Sequence, residues 1–315
     1  MKEVLRMIYE DPILRHCLVL IGGTAINLAI TDIPRLSVDI DLDYIHNNGK
    51  IFDHEFIEEH ADIFMRIAKE INMDYYRTTD IESNRLGIAF HYKSNFIPAG
   101  EGTVKLDISY LLKTTIFKPI KSSIYKLGSF DIFNDLPILI ASPFELWSGK
   151  ALALVYRSSK DPKPEDVAEL YSMFISRHLF DIHKFEKSLV SGDISIDENM
   201  LRNAFIFKGA PRIKDFFLLR GEQLHKCSQS EVDRQLYPYL RGEERPTLDE
   251  MKISSRHFLN RVCSNSWNEQ QEGFVEEFQR LGSYNPQLLF GKDNPDFSHL
   301  YKNEYMINIA DSFKK

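Results

Sequence analysis

Residues 35–43 read Arg-Leu-Ser-Val-Asp-Ile-Asp-Leu-Asp, and the second half of this stretch alternates acidic and apolar side chains. Because successive side chains of a β-strand point to opposite faces, the three aspartates, Asp39, Asp41 and Asp43, should share one face. Carboxylates placed side by side repel one another unless a cation lies among them. Mg²⁺ prefers oxygen ligands, so the alternation predicts a strand with a divalent-metal site on one face.

A glycine pair precedes this strand. The apolar run 17–21, CLVLI, predicts a buried strand, and Gly22, Gly23 and Thr24 follow it directly. A strand, a glycine turn and a helix in succession can bind phosphate, because glycine lets the backbone approach an anion and a helix N-terminus presents free N–H groups. Taken alone, Gly-Gly-Thr is also compatible with a plain tight turn. We predict phosphate binding by all three residues.

A further carboxylate lies in the stretch 104–109, VKLDIS, where Asp107 shares a strand face with Lys105 and Ser109. Carboxylates at positions i and i+2 of a strand lie about 6.5–7 Å apart. They can hold two divalent ions about 3.5–4 Å apart, and a third carboxylate from a neighbouring strand would complete the site. We therefore predict Asp39, Asp41 and Asp107 as metal ligands and catalytic residues. Asp43 has the smaller role, and the alternative is a solvated edge strand whose charges prevent aggregation.

The pattern of the chain changes near residue 142. Before it, strand-like runs at 17–21, 38–45, 86–92, 103–112 and 136–140 occur together with helical patterns at 2–10 and 53–71. After Ser142-Pro143, a favourable helix start, apolar residues recur mostly at helical spacing. We therefore predict an α/β core over 1–141 and a helical domain over 142–315. The segment 282–315 stays unassigned.

Bulk composition limits the functional classes. No apolar run approaches the roughly 20 residues of a membrane span, and the N-terminus lacks the apolar core of a signal peptide. Three scattered cysteines indicate reduced thiols, so we expect a cytoplasmic protein without membrane contact. A net charge of −7 is atypical of a dedicated nucleic-acid binder. RNA binding would need a local patch such as 202–226, with six basic residues against two acidic ones, which is equally compatible with a solvated helix face.

The motifs together resemble the polymerase-β-type nucleotidyltransferase superfamily. They are the glycine motif GGTA at 22–25, the Asp39/Asp41 pair, and the single carboxylate of Lys-Leu-Asp at 105–107. The sequence GGTA followed by RLSVDIDL resembles even more closely the AbiEii-type nucleotidyltransferase toxins of bacterial toxin–antitoxin and abortive-infection systems. This resemblance covers about residues 18–175. It implies a nucleotidyltransferase core with a mixed sheet and helices. It also implies that the helical C-terminal domain, 142–315, completes the nucleotide cleft and binds the acceptor.

Members of that family also carry a helix with a lysine, an arginine about seven residues further on, and an R-D-x-x-D-L segment. The corresponding residues here are Lys150, Arg157 and Asp166, although Glu165 stands in place of the arginine and Glu169 in place of the second aspartate. The resemblance implies that Lys150 and Arg157 bind phosphate and that Lys150 and Asp166 are catalytic. Ser37, just before the aspartate pair, is a further predicted nucleotide contact.

The resemblance also implies a function. It implies Mg²⁺- or Mn²⁺-dependent transfer of a nucleotidyl group from a nucleoside triphosphate to a cellular acceptor such as the 3′ end of tRNA, which would stop growth. It implies a cognate antitoxin protein, often a DNA-binding protein encoded beside the toxin. Two alternatives stay open. One is a nucleotidyltransferase that modifies a small molecule such as an aminoglycoside, and the other is a catalytically silent nucleotide-binding or interaction module.

Overall fold

The computed structural model describes residues 1–30, 35–37, 39–45, 54–77, 85–94, 100–110, 112, 114–122, 138–159, 175–213, 216, 227–241, 245–291 and 307. The chain divides into two compact units, Met1–Ser142 and Pro143–Lys315. The first contains a mixed sheet with helices, and the second is helical in its described part. The predicted fold class, a mixed α/β core followed by a helical C-terminal half, is confirmed.

A seven-stranded sheet is the framework of the first unit. Its strands are β1 (Leu18–Ile21), β2 (Asp39–Tyr44), β3 (Asp74–Arg77), β4 (Arg85–Lys93), β5 (Glu101–Ser109), β6 (Ile120–Ser122) and β7 (Ile138–Ile140). Their spatial order is β3-β4-β5-β2-β1-β7-β6. The pairs β2–β5 and β1–β7 are parallel, and the other neighbours are antiparallel. The sheet therefore brings β2 and β5, which are distant in sequence, side by side at its centre.

The alternation read from the sequence explains how β2 sits in this sheet. Ile40 and Leu42 are completely buried and Tyr44 nearly so, while the three aspartates of the same strand are only half-buried. Strand β5 alternates in the same way, with Val104, Leu106 and Ile108 buried. One face of the sheet thus belongs to the hydrophobic core, and the acidic residues lie on the other.

Within the described residues of this unit, the sheet is accompanied by the helices α1 (Lys2–Glu10), α2 (Leu14–Cys17), α3 (Gly22–Ala25) and α4 (His54–Glu70). A π-helical turn, Ile26–Ile30, continues α3. Helix α4 contacts β3 and β4, and its buried positions Ile57, Phe64 and Ile67 recur at helical spacing. The apolar stripe of α4 thereby covers the core face of the sheet.

The second unit contains α5 (Pro143–Ser159), α6 (Ile175–Ser191), α7 (Glu198–Gly209), α8 (Gln229–Gln235), α9 (Leu248–Val262), α10 (Glu269–Leu281) and α11 (Gln287–Phe290). Side-chain caps define where several of them begin. Asp197 caps α7, and Ser228, Thr247 and Asn268 form capping boxes at α8, α9 and α10. Gly282, in the left-handed region at φ 62°, ends α10. Among the described residues, no helix is long and apolar enough to cross a membrane.

Some elements differ from the sequence-based expectations. The short strands β3 and β6 were not predicted, because runs of four and three residues carry little periodic signal. Apolar residues at helical spacing also predict a helix at 165–176, which lies almost entirely outside the described residues. The next described helix spans Ile175–Ser191. The same spacing predicts a helix at 212–226, and most of this range is also outside the described part.

A buried ring cluster lies on the core side of the acidic strand. The rings of Tyr44, His60 and Tyr110 have centroids 5.3, 5.5 and 5.6 Å apart. His60 is 2% exposed, and its Nδ1 lies 2.8 Å from the hydroxyl of Tyr110. Burial lowers the pKa of His60 from 6.5 to about 4, against a smaller opposing effect of the Asp11 charge. The folded protein therefore keeps this imidazole neutral at a pH where the unfolded chain binds a proton.

We expect this histidine to make the fold acid-sensitive. Its stabilising contribution is complete above pH 6.5 and is lost as the pH falls through about 4, because the unfolded state binds the extra proton in that window. The loss is about 3 kcal/mol in the free energy of unfolding. Urea unfolding between pH 7 and pH 4 measures it. His60→Gln should flatten this dependence and the exposed-site control His16→Gln should not; an unchanged slope in His60→Gln would contradict the assignment.

Candidate active site

The turn after β1 brings backbone against a carboxylate. Gly22 has φ +72°, and a Cβ built at this position would overlap Oδ2 of Asp41 and lie 2.9 Å from its Cγ. The strand register places the preceding residue, Ile21, opposite Asp41. Only glycine satisfies both the left-handed backbone and this close approach. The glycine turn and the aspartate pair, which are separate motifs in the sequence, are therefore one structural feature.

Thr24 fixes the turn to the acidic strand. Its side chain is completely buried, and its hydroxyl donates to the carbonyl oxygen of Asp39. The Ser37 hydroxyl lies 3.1 Å from Oγ1 of Thr24. Thr24 is the donor in this contact as well, so its single hydroxyl hydrogen is shared between the Ser37 oxygen and the Asp39 carbonyl. Asn27, also buried, donates through Nδ2 to the carbonyl of Gly23 at 2.7 Å. These bonds set the position of the turn, and the phosphate contacts of Thr24 and Ser37 remain predictions.

The parallel pairing of β2 and β5 sets the carboxylates opposite one another. Asp41 pairs with Asp107, and Asp39 pairs with Lys105. Residues in register on adjacent strands project to the same face, with the strands about 4.8 Å apart. Asp39, Asp41 and Asp107 therefore occupy one patch of the sheet, with Lys105 beside them. Asp43 lies one step further along, opposite Ser109.

Electrostatics distinguish Asp107 within this patch. Its side chain reaches solvent, yet the surrounding protein removes part of its hydration, and this desolvation is the main reason why its pKa is raised. The charge of Arg85 opposes the increase, Asp39 adds to it and Lys105 opposes it. A carboxylate with a raised pKa is a better proton acceptor, and it is stabilised by any cation that binds beside it.

The donor chemistry of this patch fits a hard divalent cation. Asp39, Asp41 and Asp107 supply only carboxylate oxygens, which Mg²⁺ and Mn²⁺ accept, and the desolvation that raises the pKa of Asp107 disfavours its charged form in the absence of a bound cation. Within the described ranges, however, no three His, Cys, Asp or Glu side chains are arranged as a ready metal site. The three aspartates therefore stay predicted ligands.

In the helical unit, Lys150 is buried rather than solvated. Lys150 of α5 is 6% exposed, and its Nζ lies 2.8 Å from Oδ2 of Asp181 on α6, whose side chain is 1% exposed. Trp147, one turn before Lys150, stacks on Phe185, one turn after Asp181, with ring centroids 4.0 Å apart. The ion pair thus lies beside a packed apolar contact. Removal of either partner would leave the other charge unpaired and with little access to water.

Asp181 is the residue that sequence reasoning missed. The sequence does contain a signal, since Arg177–Ile182 reads RHLFDI. This stretch matches the R-D-x-x-D-L segment at the arginine and the second aspartate, and departs from it at His178 and Ile182. The segment assigned to that motif above, around Asp166, lies outside the described residues, as does the side chain of Arg157. Their predicted roles stand as predictions.

Two of the basic side chains in the stretch 202–226 form ion pairs within the helical unit. Arg202 lies 3.4 Å from Glu198 and donates to the carbonyl of Arg261 at 3.2 Å. The Lys208 side chain, 11% exposed, lies 3.2 Å from Glu145. These two cations therefore stabilise helix packing. Lys214, Arg220 and Lys226 lie outside the described residues.

The comparison with solved structures identifies the fold. MenT4, a nucleotidyltransferase toxin from Mycobacterium tuberculosis H37Rv, aligns with 100% of this chain and 91% of its own, at a TM-score of 0.56 and 12% sequence identity. At that identity the similarity establishes a shared fold, that of a nucleotidyltransferase toxin.

The family follows from the sequence itself. Residues 3–303 match the family described as nucleotidyl transferase AbiEii toxin of type IV toxin–antitoxin systems. The chain belongs to this family and is a nucleotidyltransferase toxin, which confirms the resemblance and extends it well beyond residue 175. No curated protein matches the chain.

Gly22→Ala should damage the site through its steric clash with Asp41. We expect a loss of about 2–3 kcal/mol in the free energy of unfolding and a fall in nucleotidyl transfer of about 100-fold, because the new methyl must displace the Asp41 carboxylate. Chemical denaturation and a transfer assay measure the two effects.

Gly100→Ala is the matched control. Gly100 has φ +74°, nearly the same strain, but nothing lies within 4 Å of a Cβ placed there. This variant should lose about 1 kcal/mol of stability and keep its activity. Equal effects of the two substitutions on transfer would show that the contact with Asp41 is unimportant.

Proposed function

We propose that this toxin transfers a nucleotidyl group from a nucleoside triphosphate to the 3′ end of an RNA, with tRNA as the first acceptor to test. The family establishes nucleotidyl transfer, whereas the RNA acceptor is the proposal. The observation that carries the proposed site is the register pairing of Asp41 with Asp107, with the Gly22 backbone against the Asp41 carboxylate. It joins a phosphate-binding turn to an acidic centre, which is what triphosphate chemistry needs.

Each residue of this centre has a role in the proposed reaction. Gly22 and Gly23 let backbone N–H groups reach the triphosphate, and Thr24 and Ser37 hold the turn against β2. Asp107 accepts the proton of the attacking hydroxyl, to which its raised pKa suits it. The hydroxyl oxygen then forms a bond to the α-phosphorus, the bond to the bridging oxygen breaks, and pyrophosphate leaves.

Mg²⁺ or Mn²⁺ would be held by Asp39, Asp41 and Asp107. When bound, the metal supplies positive charge that neutralises the phosphate oxygens. The register pairing of Asp41 with Asp107 and the desolvation of the Asp107 carboxylate support this assignment. Asp43 lies outside the pair and is left free of any catalytic role in the proposal.

The helical unit supplies positive charge in this proposal. Lys150 and Arg157 neutralise triphosphate charge, and Asp166 contributes to catalysis, as the family motifs imply. The buried bond from Lys150 to Asp181 adds a further member, with Asp181 holding the ammonium in one orientation. Asp181 acts through Lys150 and is a positioning residue.

Incubation with Mg²⁺, each labelled nucleoside triphosphate in turn, and total cellular RNA tests the acceptor. We expect label on the 3′ end of tRNA, dependent on one preferred nucleotide and absent with Asp41→Asn. A parallel reaction with aminoglycosides tests the small-molecule alternative. Label on the drug but on no RNA would overturn the proposed acceptor, and no label on either would contradict the proposed site.

The antitoxin is a second part of the proposal. Family membership places the chain in a toxin–antitoxin system, and we propose that a cognate antitoxin protein is encoded beside it. Induced expression should arrest growth, the neighbouring gene should restore it, and Asp41→Asn should be harmless without it. If the Asp41→Asn variant also arrested growth, toxicity would not depend on nucleotidyl transfer, which would contradict the proposal.

A further inference from the structure

An exposed aromatic ring lies at the edge of the sheet that carries the acidic centre. Tyr76, on the edge strand β3, is 54% exposed. Its ring meets that of His91 on β4 edge-on, with centroids 4.7 Å apart and an interplanar angle of 72°. His91 is itself 3.3 Å from the hydroxyl of Thr103 on β5. The Tyr76 ring is thus supported from one side and open to solvent over more than half of the residue's surface.

Strand register places this ring on the same face as the carboxylates. Tyr76 pairs with Ala89, Ala89 with Lys105, and Lys105 with Asp39, which gives one row across four adjacent strands. Residues in register share a face, so Tyr76 and the acidic patch look out from the same side of the sheet. Three strand spacings of about 4.8 Å put them about 14 Å apart.

The surface between ring and carboxylates suits a phosphate backbone. Ala89, next to Tyr76 in the row, is small, and the exposed Lys105 follows it. Arg85 is exposed beside the patch, and its charge acts on Asp107. A strand of nucleic acid that follows this row would therefore meet the aromatic ring, then the Lys105 cation, and then the acidic centre, with Arg85 to one side in the row of Ser109.

We propose that Tyr76, His91 and Lys105 form the docking surface for the single-stranded 3′ end of the RNA acceptor. This inference rests on the proposed function and names the place where its substrate binds. A base stacks on Tyr76, a phosphate lies near Lys105, and the 3′ end points to the carboxylates. At a rise of about 3.4 Å per stacked nucleotide, the distance of about 14 Å corresponds to roughly four nucleotides. The stacked base is therefore upstream of the terminal one.

RNA binding without chemistry tests this surface. The Asp41→Asn variant is titrated with a short single-stranded RNA that ends in a free 3′ hydroxyl, and its Kd is compared with that of Asp41→Asn/Tyr76→Ala. We expect the second substitution to weaken binding about tenfold, and Tyr76→Trp to preserve it within about twofold, because stacking tolerates any large aromatic ring. Ile13→Ala, at a residue of the same unit with 55% exposure, should change nothing.

Abasic scanning locates the stacked base. A set of RNAs is prepared in which one nucleotide near the 3′ end is abasic, at a different position in each RNA. We expect the largest loss of binding when the abasic position lies a few nucleotides from the end. In the Tyr76→Ala protein, an abasic nucleotide at that position should not weaken binding further. An unchanged Kd in Tyr76→Ala, or equal abasic effects in both proteins, would overturn the proposed surface. Labelled transfer to RNA that survives Tyr76→Ala would overturn it while leaving the proposed function intact. Tyr76-dependent RNA binding without any transfer to RNA would contradict the function instead.

Discussion

Asp41→Asn is expected to slow nucleotidyl transfer on the order of 10³-fold while leaving the fold intact. The substitution keeps the size of the side chain and removes only the charge. Asp41 faces Asp107 across the parallel strands and lies against the Gly22 backbone, so no other side chain can take its place in this geometry. Initial rates with labelled nucleoside triphosphate measure the loss, and thermal unfolding checks that the variant is folded.

Asp43→Asn is the matched control for that substitution. Asp43 is on the same strand, on the same face, and is also half-buried, but its partner on β5 is Ser109 instead of a carboxylate. Its loss should change the transfer rate by no more than about threefold. If Asp43→Asn were as inactive as Asp41→Asn, the charge of the whole strand would matter and the pairing with Asp107 would not.

Asp181→Ala is expected to lower the free energy of unfolding by about 3–5 kcal/mol, since it removes the carboxylate that a buried ammonium bonds. Lys150 and Asp181 are both almost inaccessible to water, and the packed rings of Trp147 and Phe185 lie beside them. Urea unfolding of the full chain measures the change. Arg280 and Glu276, an exposed pair at 2.8 Å, provide the comparison: Glu276→Ala should cost no more than about 1 kcal/mol.

The double variant Lys150→Met/Asp181→Leu separates structure from chemistry at this pair. Replacing both charges with apolar side chains of similar volume should restore most of the lost stability. Nucleotidyl transfer should remain low, because the variant lacks the lysine that the proposal assigns to phosphate. Recovery of activity together with stability would show that Lys150 has only a structural role.

The sequence predicts some features of the fold and the candidate site and not others. The alternation over residues 39–44 defined a strand and its acidic face, because a period of two is a local property that burial of Ile40 and Leu42 enforces. The neighbouring motifs also identified the family. The register of Asp41 with Asp107 could not be predicted, since it depends on the order in which distant strands assemble.

Other contacts were hidden for different physical reasons. The phosphate contact of Thr24 stays a prediction, whereas the bond from its hydroxyl to the Asp39 carbonyl depends on tertiary packing and could not be predicted from the sequence. Asp181 is far from Lys150 in the chain, and only the packing of α5 against α6 brings them together. Tyr76 belongs to a four-residue strand whose position at the sheet edge no local pattern indicates.

A double-mutant cycle between Asp41 and Asp107 is the most direct test of the proposed acidic centre. Transfer rates are measured for Asp41→Asn, Asp107→Asn and the double variant, each checked for folding. If the pair acts as one unit, each single variant should lose on the order of 10³-fold, and the double variant should be only a few-fold worse than either. Losses that multiply in the double variant, or a wild-type rate in Asp107→Asn, would contradict it.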